Sequence, residues 1–72
     1  DNEYYRINGK YFPADAIVDK LVEELNADGD AMLRSDYDID DTVFQTILNA
    51  VATEMGESVK GYHWLGVLHL TK

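Results

Sequence analysis

Carboxylates are the side chains through which this sequence could do chemistry, and they are concentrated. Ten of its fourteen acids (Asp15, Asp19, Glu23, Glu24, Asp28, Asp30, Asp36, Asp38, Asp40 and Asp41) lie in one central stretch, against only Lys20 and Arg34. Outside it Asp1, Glu3, Glu54 and Glu57 balance Arg6, Lys10, Lys60 and Lys72, so the whole net charge of −8 belongs to the centre. Such a cluster can share protons, hold a hard cation or face a basic partner. Proton sharing needs an enclosed site to shift pKa values, and 72 residues leave little volume for one. Ser35 and Ser58 are the hydroxyl candidates with any context, and neither has a histidine near it in sequence. No nucleophile elbow, phosphate loop or zinc motif is present, so no catalytic residue and no cofactor is expected.

Metal chemistry fails on spacing. Placing Gly29 at the sixth position of a calcium loop puts Ser35 at the twelfth, where a bidentate glutamate is required. A frame starting at Asp36 puts Asp41 where glycine belongs and Ile47 at the twelfth position. His63 and His69, read on one strand, stand about 20 Å apart and cannot share an ion. No metal is expected, and helix capping accounts for Asp38, Asp40 and Asp41.

The elements that must carry these groups follow from periodicity. Asn8-Gly9 between alternating segments predicts a two-residue hairpin turn that pairs Ile7 with Lys10, Arg6 with Tyr11 and Tyr5 with Phe12. Tyr5, Ile7 and Phe12 then face the core, and Tyr4, Arg6 and Tyr11 face outward. Pro13 opens a helix over 13–27, with Ile17, Leu21 and Leu25 on its apolar stripe. Asp15, Asp19 and Glu23 stand four apart on its opposite side. Residues 28–38 read as an acidic loop in which Ala31, Met32 and Leu33 form one helical turn. A second helix starts between Asp38 and Thr42 and ends before Gly56, with Ile39, Val43, Ile47, Val51 and Met55 repeating every four residues. Its outer side (Thr42, Gln45, Thr46, Asn49, Thr53) is polar but uncharged. The segment from Val59 to Leu70 reads as one strand, with Tyr62, Trp64, Leu68 and Leu70 inward and His63, Leu65, Val67 and His69 outward.

The expected fold is therefore α+β, one domain over 1–72. It has a small, largely antiparallel sheet (the N-terminal hairpin plus the C-terminal strand) with two helices on one face, in the order strand, strand, helix, helix, strand. No apolar run reaches the roughly 20 residues needed to span a bilayer, and there is no cysteine. A reducing cytoplasmic setting is the expectation.

Direct binding of nucleic acid or an anionic membrane needs clustered Lys and Arg, which the central segment lacks. A basic protein partner is favoured. Its contact surface is expected on the ten central acids, with Tyr4, Arg6, Tyr11, Leu65 and Val67 as secondary interface candidates. Protonating crowded carboxylates relieves repulsion, so the fold is expected to tolerate mild acid.

In size, in charge packed between Asp15 and Asp41, and in tyrosines set beside carboxylates, the chain resembles the small acidic inhibitors of phages and mobile elements, the anti-CRISPR and DNA-mimic proteins. That resemblance implies a non-catalytic inhibitor that blocks a basic nucleic-acid-binding groove on a partner, such as a nucleic-acid-handling enzyme. The alternative is a small interaction or regulatory module, homodimers included, without nucleic-acid mimicry.

Overall fold

The computed structural model describes residues 3–7, 9–35 and 39–72, with only the main chain of Ile7. Asp36 and Asp38, two of the expected contact acids, and Asn8 of the hairpin turn lie outside the described residues. The architecture is α+β and antiparallel throughout. The elements are β1 (Tyr4–Ile7), β2 (Lys10–Pro13), α1 (Ala14–Asp28), β3 (Asp30–Arg34), α2 (Asp41–Met55), β4 (Lys60–Trp64) and β5 (Val67–Thr71). They form a two-stranded β1-β2 sheet and a three-stranded sheet in the order β3-β5-β4. No helix among the described residues is long and apolar enough to cross a membrane.

The locally encoded elements fall where their residues place them. β1 and β2 pair Tyr5 with Phe12, Arg6 with Tyr11 and Ile7 with Lys10. The Ala14 amide, at the start of α1, donates to the Glu3 carbonyl (2.9 Å), tying the hairpin to the first helix. Ala14, Ile17, Leu21 and Leu25 bury one stripe of α1, and Phe44, Ile47 and Val51 bury one stripe of α2. With Ile39, Ala31, Leu68 and Leu70 they make the core, against which Tyr5 and Phe12 also pack. Asp40 occupies the N-cap position of α2, but its side chain makes no capping bond.

Two segments differ from their sequence reading. Ala31–Leu33 is part of strand β3, not a helical turn. Three apolar residues are too few to show a period, and β5 supplies the hydrogen bonds that decide. Ala31 and Leu33 face the core, while Asp30, Met32 and Arg34 face away. The second is the expected single strand from Val59 to Leu70, which is a hairpin. Leu65 (φ 49°) and Gly66 (φ 80°) form a two-residue turn between β4 and β5. Positive φ at both positions is the primed geometry that matches strand twist, and the buried Gly66 meets it without a Cβ penalty.

The bonds at its two ends fix the parity of the β3–β5 ladder. Ser35 donates to the Gly66 carbonyl (2.7 Å) and Lys72 to the Gly29 carbonyl (3.2 Å), extending the β3–β5 ladder at both ends. Leu33–Leu68 and Ala31–Leu70 are therefore its hydrogen-bonded pairs, and Met32 aims its N–H and C=O away from β5. Those two groups are taken by α1. Lys20 Nζ donates to the Met32 carbonyl (2.8 Å), and the Met32 amide donates to Glu24 Oε1 (3.0 Å). Lys20 and Glu24 also pair with each other at 2.7 Å. The outer edge of β3 is thus closed by side chains at its midpoint, one of the ways proteins protect sheet edges.

The Lys20 hydrogen bond, then the Met32 amide, lower the Glu24 pKa below its ordinary value. A carboxylate with a depressed folded pKa contributes stability above its unfolded value and loses it as pH falls through the folded one. Glu24 therefore runs opposite to the expectation that acid is tolerated through relief of repulsion. Glu24→Ala is expected to cost about 1 kcal/mol at pH 7, exposed pairs being weak. Melts of both proteins from pH 7 to pH 3 should show the gap closing on the acid side. A gap that widened with acid would mean the clamp does not hold in solution.

Candidate functional site

The hairpin turn reverses the face parity of β4 relative to a single strand. Gly61 and His63 turn toward the helices, opposite Leu70 and Leu68, and Lys60, Tyr62 and Trp64 join Thr71, His69 and Val67 on the other face. No element among the described residues covers that face. It reads as three rows running across β3, β5 and β4: Asp30, Thr71, Lys60; then Met32, His69, Tyr62; then Arg34, Val67, Trp64. Leu65 stands beyond the third row at the turn. Trp64 is 70% exposed, Leu65 74%, Tyr62 62% and Met32 43%. These four, with Val67 and His69, line an open depression of about 370 Å³. Tyr62 meets His69 edge-on, with ring centroids 5.3 Å apart. The face carries two cations, Arg34 and Lys60, against one carboxylate, Asp30. On a chain of net charge −8 it is a surface of the opposite tendency.

Of the secondary candidates, Leu65 and Val67 belong to this surface; Val67 is half-buried between Arg34 and Trp64. Tyr62 and Trp64, expected inward, are its main components. The signal that could have found them is Leu65-Gly66, which read as a turn moves every β4 side chain to the other face. Tyr4, Arg6 and Tyr11 are exposed on the β1-β2 hairpin, with Tyr4 and Tyr11 edge-to-face at 6.4 Å. The two histidines sit on adjacent strands but opposite faces, so the 20 Å separation does not apply. His63 lies against Phe44 (4.8 Å between centroids), with Nε2 3.4 Å from Asp41 Oδ1.

The central acids do not share one surface. Asp15, Asp19 and Glu23 are exposed along α1, Asp28 is exposed at its end, Asp30 lies on the open sheet face, and Asp40 and Asp41 stand at the start of α2. Glu24, expected to face a partner, is committed to Lys20 and Met32. Folding also gathers acids that are distant in sequence. Glu3, Asp15, Asp19 and Glu54 line a groove of about 370 Å³ between the helices and the first hairpin, with Tyr5 and Asn49 in its wall and no Lys or Arg. Burial pushes the Tyr5 phenol pKa up, and Glu3 and Asp15 act in the same direction. Among the described residues no group of three or more His, Asp or Glu is arranged to hold a metal ion.

Leu65 is out of place by local rules, since the first position of a primed turn favours Asn, Asp or Gly. A leucine there costs about 1 kcal/mol, and strain of this kind is often kept at functional positions. Leu65→Asn is expected to raise the melting temperature by about 4–8 °C while removing an exposed apolar group. A lower melting temperature would show instead that Leu65 packs against its neighbours Ile39, His63 and Trp64.

No family model matches the chain, and neither a curated protein nor a solved structure is similar to it.

Proposed function

We propose that this is a non-catalytic binding protein whose main contact surface is the open face of the β3-β5-β4 sheet and whose partner is a basic protein. The observation that carries the reading is the pair of uncovered rows Met32, His69, Tyr62 and Arg34, Val67, Trp64, with Leu65 at their rim. Tyr, Trp and Arg are the residue types that anchor interfaces, and contiguous apolar surface of this kind marks interaction sites. The net charge of −8 supplies long-range attraction to a basic partner, and the face itself, where Arg34 and Lys60 outnumber Asp30, engages it through its aromatic and apolar groups.

A second reading is favoured by the groove of Glu3, Asp15, Asp19 and Glu54, continued along α1 by Glu23. There the chain is an acidic inhibitor that fills a nucleic-acid-binding groove lined with Lys and Arg. The two readings use opposite sides of the molecule. The deciding experiment captures partners from the native cell extract at low and high salt, then titrates each purified partner against two variants. Met32→Lys places a charge in the sheet face, and Asp15→Asn with Asp19→Asn neutralises the groove. Loss with Met32→Lys and a modest salt dependence support the sheet face. Loss only with the neutralised groove, steep weakening by salt and competition by DNA or RNA would replace it with the second reading.

A further inference from the structure

The two edges of the three-stranded sheet are treated differently. The outer edge of β3 is closed at its midpoint by Lys20 and Glu24. The outer edge of β4 has no strand partner among the described residues, and no backbone hydrogen bond outside the sheet reaches it there. Ladder parity decides which groups it presents. Leu68 and Leu70 spend their N–H and C=O on β3, so Lys60–Thr71, Tyr62–His69 and Trp64–Val67 are the hydrogen-bonded pairs of β4 with β5. The N–H and C=O groups of Gly61 and His63 therefore point outward, four groups centred on Tyr62 that have no backbone partner among the described residues.

We infer that β4 pairs antiparallel with β4 of a second copy, about a twofold axis at Tyr62, to make a continuous six-stranded sheet. This register is the one that uses all four outward groups within β4. Gly61 and His63 of one copy exchange both hydrogen bonds with His63 and Gly61 of the other, and Tyr62 faces Tyr62 as a non-bonded pair. The side chains agree with the backbone. On the open face Lys60 of each copy meets Trp64 of the other, a cation over an aromatic ring, on both sides of a central tyrosine pair. On the helix side the larger His63 stands opposite Gly61, which has no side chain. Lys60 and Trp64 are related by this axis alone, so the strand complements itself and a second copy is its occupant. β4 itself carries no carboxylate, Asp41 on the helix side stands beside His63 (3.4 Å), and the repulsion between two chains of charge −8 is screened by salt. The inference rests on edge geometry, although its Tyr62 and Trp64 contacts draw on side chains of the proposed partner surface; cross-linking of the isolated protein tests it without any partner.

The chain has no cysteine, so a single introduced thiol reports the register. Across the axis, non-bonded partners have Cα atoms about 4.5 Å apart, within disulfide range, whereas the two copies of residue 60 are roughly 13 Å apart along the strands. Tyr62→Cys is expected to give a disulfide-linked dimer at least tenfold faster than Lys60→Cys or Trp64→Cys alone. A mixture of those two variants should cross-link to each other. Sedimentation of the unmodified protein should show twice the 8.2 kDa chain mass at high concentration. Added salt should strengthen association, the opposite of its effect on a basic partner, and Lys60→Glu should abolish it. A wild-type protein that stays monomeric at all concentrations and salts overturns the inference, as does cross-linking of Lys60→Cys alone as fast as Tyr62→Cys.

Discussion

Trp64→Ala is expected to weaken partner binding by about 30- to 100-fold while moving the melting temperature by no more than about 4 °C. Truncating an interface anchor typically costs 2 kcal/mol or more, and every 1.4 kcal/mol is tenfold in affinity. Trp64 is suited to that role because it is large, rigid and 70% exposed, flanked by Arg34 and Val67 in its row and by Leu65 at the turn. For the same reason it contributes little to folding: exposed substitutions usually lie within about 0.5 kcal/mol. Titration calorimetry against the captured partner, paired with a thermal melt, separates the two quantities. Unchanged affinity would remove the open face from the mechanism. A melting temperature lowered as far as a core substitution lowers it would mean that the ring is packed, not presented.

Gly61→Ala should act in the opposite sense, on stability first. A Cβ at this position would overlap Leu70 Cδ2 and lie 2.8 Å from the His69 carbonyl oxygen, and Leu70 is fully buried, so neither neighbour can withdraw cheaply. Overpacking of this kind costs about 1–3 kcal/mol. In a domain of 72 residues, whose total stability is of order 4–10 kcal/mol, that is a large share, equivalent to a fall of roughly 4–20 °C in melting temperature. Leu70→Ala vacates part of the clash, so the double variant is expected to cost less than the sum of the two singles. A Gly61→Ala protein as stable as the parent would show that β4 can shift away from β5, and the register on which the open face depends would have to be redrawn.

The proposed binding face and the inferred dimer edge both depend on β4, whose side chains face the opposite way from the expectation of a single strand. Its alternation was visible, but parity along a strand is relative. It becomes absolute only when the turn is located, and Leu65 is a poor advertisement for a turn that usually carries Asn or Gly. The strand in the acidic loop was hidden for a related reason. Asp30–Arg34 has no strand pattern strong enough to declare itself, and its hydrogen bonds come from β5, more than thirty residues away. Glu24 could be counted as a charge from sequence alone, but its pairing with the Met32 amide required that same strand to lie along α1.

What the sequence determined by itself is what short-range physics decides. The Asn8-Gly9 hairpin register, the α1 stripe Ile17, Leu21, Leu25 and the α2 stripe ending at Gly56 rest on turn chemistry, helical period and caps. Each acts within a few residues and competes with little else. The net charge and its central concentration are likewise properties of the chain. Tertiary structure alone decided which side chains meet. It brought Glu3 and Glu54 to Asp15 and Asp19, placed Asp30 on the open sheet face, exposed Tyr62 and Trp64, and closed the β3 edge while leaving the β4 edge without a strand partner among the described residues. Each of those outcomes is set by strand pairing or helix packing between distant segments, where the free energy belongs to the contact and not to either partner.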